Sequence, residues 1–417
     1  MRKSPAPAPE RAVLAGSLAL SLVREALTRG ARRLHLQPTA DGGLDVRMRT
    51  SEGLVAGPCP SIEPGVAALV VERLKAAARL AANDARLPQE GRMTIQRLPE
   101  GPVALRVNTL PTRHGEAVLL EVLEPERSLT LGALGLDPSD LARLRDVLDA
   151  PKGLVLVVGP QRSGKRTLLD ACLRHIAADP GRTVYSIADG RTAAIPGVIS
   201  VEVHYEVGMD PEKALRLLVR AGDADVIHTS AKLSPQGAQE AVEAAAGGHL
   251  VLAEVPTDDA VSGVTRLQDM AIEPYLLAAG ITAVVACRTL HALCPACRVR
   301  AHAPGPDAVR RLVPRLFEEE LLAGWEEAFT ARPGGCGACG GTGHRGRVGV
   351  YEVVYRPAEI LEATFRSSVR LRPALHERTR ALRESAMLQA FAGRVSITEA
   401  VNATPVAPGG EPPSPAF

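Results

Sequence analysis

Residues 154–167 read LVLVVGPQRSGKRT. The first five are apolar without polar alternation, the mark of a strand buried on both faces. Gly159 to Lys165 then follow the phosphate-loop pattern G-x-x-x-x-G-K, and TLLDACLRHIAA continues as a helix. Glycines at 159 and 164 let the backbone wrap tightly, so that its N–H groups and the helix N-terminus can face phosphate oxygens. The expected nucleotide ligands are Gly159, Ser163, Gly164, Lys165, Arg166 and Thr167. One position departs from the pattern. The eighth residue normally offers a hydroxyl to Mg²⁺, and here it is Arg166. Thr167 has a hydroxyl, but one step along a helix turns it about 100° away. Arg166 instead brings a cation to the phosphates, which favours binding without Mg²⁺ and disfavours metal-dependent hydrolysis.

Downstream, β-type runs alternate with helical stretches to about residue 290: TVYSIAD and PEKALRLLVRAG, ADVIHTS and PQGAQEAVEAAAGG, HLVLAEV and DDAVSGVTRLQDM. That alternation predicts an α/β domain around a parallel sheet. A phosphate-loop hydrolase also needs an acid at the C-terminal end of a neighbouring strand. Strand Val226–Thr229 ends in Ser230-Ala231-Lys232, without one. Asp223 and Asp225 stand at the other end of that strand. Two acids remain as catalytic candidates, Asp189 after TVYSIA and Glu254 in LVLAEV. For each the plain alternative is a solvated acid at a strand edge.

Cys294-Pro-Ala-Cys297 and Cys336-Gly-Ala-Cys339 form C-x₂-C…C-x₂-C. Two such pairs complete a tetrahedral structural zinc site, with a disulfide or free thiols as the alternatives. The gap exceeds the usual spacing of about 15–20 residues, so its helical insert must fold back on itself. His344 reads as a surface residue, and Cys59, Cys172 and Cys287 read as small apolar residues.

Ahead of the phosphate loop, 11–127 reads as an α+β domain. A helix covers 18–27, and LHLQP and LDVRMRT flank Asp41-Gly42-Gly43. A second helix covers about 65–82, followed by the strands MTIQRL, VALRVNTL and AVLLEVL. A connector with one capped helix, LARLRDVLDA, leads into the α/β domain of 128–290. A cysteine-bearing subdomain at 291–347 and a helical region at 348–403 follow. The Pro/Ala-rich 1–10 and Pro/Gly-rich 404–417 read as disordered tails. The 417 residues suggest two to three domains at roughly 150 each. A net charge of +2 and 3% aromatics argue against a zinc-containing nucleic-acid-binding protein. No apolar run approaches the roughly 20 residues of a membrane helix, and the first residues lack a secretory h-region. A cytoplasmic location is expected.

Several longer stretches occur in a telling order: RLPQEGR at 86–92, RVNTLPT at 106–112 with HGE at 114–116, and the phosphate loop. GGHLV at 247–251, VTRLQDM at 264–270 with IEPY, LCPAC at 293–297, and CGACGGTGHRGRVGVYE at 336–352 come next. Together they resemble the secretion and pilus-assembly ATPases of the GspE/PulE/PilB type, over about residues 13–403. The resemblance implies a RecA-like core of 128–290, an N-terminal domain in the family's PAS-like position, and zinc on Cys294, Cys297, Cys336 and Cys339. It further implies bound ATP or ADP, with Arg92 and Arg106 reaching its phosphates. It implies a hexameric ring, or a hetero-oligomer with a related ATPase, beneath an inner-membrane platform and peripheral to the membrane's cytoplasmic face.

The chemistry departs from the family. Ala188-Asp189 replaces the Glu-Asp of its Asp box, and Ser230-Ala231-Lys232-Leu233-Ser234 replaces Gly-Glu-Ile-Arg-Asp. Val255-Pro256-Thr257 replaces Leu-His-Thr, and Glu206 falls where an arginine is usual. The Mg²⁺ hydroxyl, the catalytic Glu, an Asp-box acid and the His are lost together. The leading expectation is therefore a nucleotide-binding relative with impaired or lost hydrolysis. An active motor with relocated acids is the alternative. The family's further N-terminal docking domain is expected to be absent.

Overall fold

The computed structural model describes residues 8–50, 53–97, 101–123, 129–188, 195–203, 205, 208–229, 233–318, 326–355 and 380–405. The chain divides into two compact units, Met1–Arg127 and Ser128–Phe417.

In the first unit, helix α1 (Ala8–Thr28) buries Ala15, Ala19, Leu22, Val23 and Ala26 at helical spacing. It begins inside the stretch expected to be a tail. The strands are β1 (Arg33–Pro38), β2 (Leu44–Thr50) and β3 (Gly53–Ile62), with helix α2 (Pro64–Ala77) before β4 (Gln89–Arg97), β5 (Gly101–Thr112) and β6 (Gly115–Leu123). They form one sheet, ordered β3-β2-β1-β6-β5-β4, with every neighbouring pair antiparallel. Alternate residues such as Leu34, Leu36, Leu105, Val107, Val118 and Leu120 join the helices in one core.

Two features differ from the sequence reading. Strand β3 was not expected, because GLVAGPCPSI carries two glycines and two prolines; as an edge strand it tolerates both. Gly57 is required there, since a Cβ would lie 2.6 Å from Val46 Cγ1. Helix α2 stops at Ala77, short of 82. Arg79 takes the left-handed conformation at φ 61°. The Arg79 amide then reaches the Ala76 carbonyl and the Leu80 amide the Lys75 carbonyl, a Schellman closure. Lys75, fully buried, donates to Glu116 at 2.8 Å and to the Asp84 carbonyl at 2.7 Å, so the sheet and the helix end share one satisfied charge pair.

The second unit opens with α3 (Pro138–Asp149), whose first turn is capped by Asp137 accepting from the Ser139 amide. The strands and helices then alternate: β7 (Gly153–Val158), α4 (Lys165–Ile176), β8 (Val184–Ala188), β9 (Val198–Glu202), α5 (Pro211–Ala221), β10 (Val226–Thr229), α6 (Pro235–Gly247), β11 (Leu250–Val255), α7 (Ala260–Asp269), α8 (Pro274–Gly280) and β12 (Ile281–Leu293). After β13 (Val299–Ala301), α9 (Pro306–Leu312), α10 (Pro314–Glu318), β14 (Ala328–Thr330) and β15 (His344–Tyr355) come α11 (Leu382–Phe391) and α12 (Ile397–Ala403).

The sheet order is β15-β12-β7-β11-β10-β8-β9, parallel except for β15. Its central strands β7, β11 and β10 are buried on both faces, as the run at 154–158 requires. Val155, Val157, Val226, Leu250 and Leu252 pack with α3 and α4. Leu154, Leu156, Val158, Ile227, Val251 and Ala253 pack with α5 to α8 and the C-terminal helices. The α/β expectation holds, and the N-terminal unit is α+β as expected.

The region from 348 does not begin as helix. Residues 348–355 belong to β15, paired antiparallel with β12 from Ala283↔Tyr355 to Thr289↔Gly349. Their β-branched and aromatic content (VGVYEVVY) suits a half-buried edge, and β12 itself crosses the 290/291 boundary. Helix appears at α11 and α12. Thr404, placed in the tail by sequence, is buried and accepts from buried Arg383 through its carbonyl at 2.8 Å. Among the described residues no helix is long and apolar enough to cross a membrane.

Candidate nucleotide and metal sites

Strand β7 delivers the chain into a loop that only small or permissive backbone allows. Gly164 has φ 100°, and a Cβ on it would lie 2.9 Å from Thr289 Cγ2. A Cβ on Gly159 would lie 2.3 Å from Ser163 Oγ. Thr289 on β12 donates to the Arg162 carbonyl at 3.1 Å, and Ser163 Oγ lies 3.6 Å from buried Cys287 Sγ. The loop is therefore held from beneath by β12. The first intrahelical bond of α4 runs from the Leu168 amide to the Gly164 carbonyl at 3.0 Å. The amides of Lys165, Arg166 and Thr167 precede it and form the helix's positive end. Lys165 Nζ rests on the carbonyls of Gly159 and Pro160, at 2.9 and 3.1 Å, inside the ring that a phosphate would fill. Arg166 and Thr167 are exposed.

Glu254 stands beside this loop. It pairs with Val157 of β7, and the next carbonyl, that of Val255, accepts from the Gly159 amide at 3.3 Å. Its side chain has the parity of Leu250 and Leu252, so it faces α4. Burial raises its pKa, opposed by the charges of Lys165 and Arg166. It is half-buried. Asp189 lies outside the described residues, as do Glu206 and Ser230 to Lys232. Ala188, ending β8, is buried, and Pro256 is exposed. Asp225 sits at the far end of β10, accepting from the Thr183 amide at 2.7 Å. Arg92 and Arg106 face each other across β4 and β5 of the first unit, where Arg106 meets Glu90 at 3.3 Å.

His228 on β10 escaped the sequence reading, where it was one polar residue in VIHT. It shares the α4 face with Ser186 of β8, whose Oγ lies 2.8 Å from His228 Nδ1. Burial, aided by the Arg166 charge, pushes its pKa down to about 4. The folded pKa lies below the unfolded value of about 6.5, so unfolding takes up a proton under acid. The stability this neutral imidazole allows is complete above about pH 6.5 and is lost as pH falls towards 4. Replacing it, as in His228→Met, should remove about 3 kcal/mol of the acid-side loss between pH 7.5 and 4. Urea titrations of both proteins at the two pH values measure this, and parallel pH profiles would refute it.

The four paired cysteines converge. All four Sγ atoms lie within 4.8 Å of one another, with Cys294–Cys336 and Cys297–Cys339 at 3.9 Å and Cys336–Cys339 at 3.8 Å. A tetrahedron of sulfurs about 2.3 Å from zinc has edges of about 3.8 Å, whereas a disulfide needs about 2.05 Å. The donor set fits Zn²⁺. The long gap closes as expected: β13 and β14 pair antiparallel, Val299↔Thr330 to Ala301↔Ala328, around α9 and α10. Cys336 and Gly343 amides donate to Cys339 Sγ at 3.1 and 3.2 Å and draw its thiol down to about 6. His344 points Nδ1 at the Thr342 carbonyl, 3.0 Å away, and is no ligand. Cys172 and Cys287 are buried as small apolar residues, and Cys59 is half-buried.

The Type II/IV secretion system protein family model matches residues 10–402. The type II secretion system protein HxcR of Pseudomonas aeruginosa is 35% identical over 83% of this chain and 68% of its own length. The type II secretion system protein E of Klebsiella pneumoniae is 33% identical over 92% and 74%. The type IV pilus assembly ATPase PilB of Thermus thermophilus is 31% identical over 92% and 42%. Among solved structures, the pilus retraction motor PilT with bound ADP matches with a TM-score of 0.62 at 18% identity, over 93% of this chain and 96% of that one. The Legionella pneumophila ATPase DotB matches at 0.61 and 13%, over 96% and 97%. The last two show a shared fold.

Proposed function

This chain belongs to the Type II/IV secretion system protein family, and from that we propose that it is a nucleotide-binding subunit of a type II secretion or type IV pilus machine in which Mg²⁺-dependent hydrolysis is lost or strongly impaired. The observation that carries this reading is the state of the phosphate loop. Its backbone, helix end and Lys165 are arranged for phosphate, yet the residue that should carry the Mg²⁺ hydroxyl is the exposed cation Arg166. Ala188, Ala231 and Pro256 stand where the resemblance calls for an acid, an acid and a histidine. The protein acts as a ring subunit, alone or beside a related ATPase, at an inner-membrane platform, and carries structural zinc. ATP or ADP is its nucleotide, held without need of Mg²⁺.

A second reading, a working motor with a relocated acid, draws on one observation: Glu254 faces α4 beside Lys165. Calorimetric titration of the zinc-loaded protein with ADP, in chelator-free buffer without Mg²⁺ and in Mg²⁺, tests the first reading. Binding is expected in both buffers, and Lys165→Ala should weaken it at least about tenfold, the loss of one charge-assisted phosphate contact. Binding that requires Mg²⁺, or that ignores Lys165→Ala, would overturn it.

A further inference from the structure

The loss of a metal ligand changes which charges a third phosphate would meet. In a metal-using phosphate loop, Mg²⁺ bridges the β- and γ-oxygens and neutralises them. Here no hydroxyl stands at position 166, so the positive groups on the described loop are the α4 amides, Lys165, Arg166 and the exposed Arg162. Lys165 Nζ already sits over the Gly159 and Pro160 carbonyls, the position from which such a lysine reaches the β- and γ-phosphates. The wall next to it is β11. The Gly159 amide is tied to the Val255 carbonyl at 3.3 Å, and Glu254, one residue earlier, turns its carboxylate to the α4 side. On β10 the same row is lined by buried, neutral His228, whose Nε2 has no partner among the described residues. Lys165 and Arg166 are the cations that act on Glu254, and the described residues of β10 and β11 add none.

We propose that Glu254 makes this site selective for nucleoside diphosphate over nucleoside triphosphate, by placing a half-buried carboxylate at the γ-phosphate end of a loop that has lost its metal ligand. The inference rests on the nucleotide-binding reading above and sharpens it: the resident ligand is ADP, and the subunit is held in a diphosphate-bound state. A γ-phosphate adds negative charge beside a half-buried carboxylate, where screening is weak. The α- and β-phosphates keep their contacts with the loop amides and Lys165.

The test is isothermal titration of ADP and ATP in chelator-free buffer without Mg²⁺, on the zinc-loaded wild type, Glu254→Gln, Glu254→Asp and Lys165→Ala. The wild type should bind ADP at least about tenfold more tightly than ATP, the scale of one like-charge contact at intermediate dielectric. Glu254→Gln should bring the ratio towards one by tightening ATP while leaving ADP unchanged. Glu254→Asp should keep the preference. A wild-type ratio near one, or a ratio unmoved in Glu254→Gln, overturns the proposal while the nucleotide-binding reading stands. If Glu254→Gln does not fold, the wild-type ratio alone decides. A wild type that binds neither nucleotide, or binds both as Lys165→Ala does, overturns both.

Discussion

Replacing Cys336 with serine, or stripping the protein with a strong chelator, is expected to cost the protein its zinc and the folded state of residues 291–347. The wild type should carry roughly one zinc per chain, and Cys336→Ser should carry little. The reason is size. Between β12 and β15 the described chain offers two three-residue strands, two short helices, α9 and α10, and one 3₁₀ turn at Gly337–Cys339, too little to hold a fold by burial alone. A tetrahedral thiolate site contributes about 10–16 kcal/mol of binding free energy in isolated zinc modules, and there binding is folding. The damage should spread to the C-terminal helices. The Leu293 amide donates to the Arg394 carbonyl at 2.8 Å, and the Cys294 amide to Gly343 at 2.9 Å. Arg298 lies 4.4 Å over the Phe329 ring and donates to the Gly393 carbonyl. Thermal melts with parallel metal analysis should show a lower, broadened transition in Cys336→Ser. A variant with full zinc content and an unchanged melt would contradict the assignment.

The second large effect is a gain. Arg166→Thr combined with Ala231→Glu should raise Mg²⁺-dependent phosphate release at least about a hundredfold over the wild type. A metal ligand and a water-orienting acid each contribute orders of magnitude to such reactions. Either change alone should do little, because the groups act as a unit: metal without acid leaves the water unactivated, and acid without metal adds repulsion. The scaffold is ready for the pair, since β7, the loop and α4 already hold Lys165 at the loop carbonyls. Steady-state phosphate assays on the four proteins measure it. A double variant no faster than the wild type would place the loss elsewhere.

What could be read in the residues was what depends on near neighbours. The phosphate loop is contiguous, and its glycines, lysine and following helix announce themselves. Each cysteine pair is a local bite, and the doubling of the pattern implies their convergence. Strand β7 was legible because five apolar residues in a row leave no exposed face. Strand β3 was not, because its glycines and prolines signal a loop until one knows it lies at the sheet edge, against Val46. The same holds for 348–355, where membership of the sheet depends on the distant register with β12. Glu254 could be named from sequence but not aimed: only the parity it shares with Leu250 and Leu252, and the tie from Gly159 to Val255, turn it to the phosphate loop. His228 needed Ser186, a partner 42 residues away in the chain.

On the proposed reading, a secretion-family phosphate loop persists here without its hydrolytic chemistry. Phosphate release from ATP by the purified, zinc-loaded wild type in Mg²⁺, measured beside Lys165→Ala, tests it most directly. The two rates should coincide, with Glu254→Gln no slower than the wild type. A wild-type rate well above that of Lys165→Ala, abolished by Glu254→Gln, would contradict it and make Glu254 the acid of a working motor.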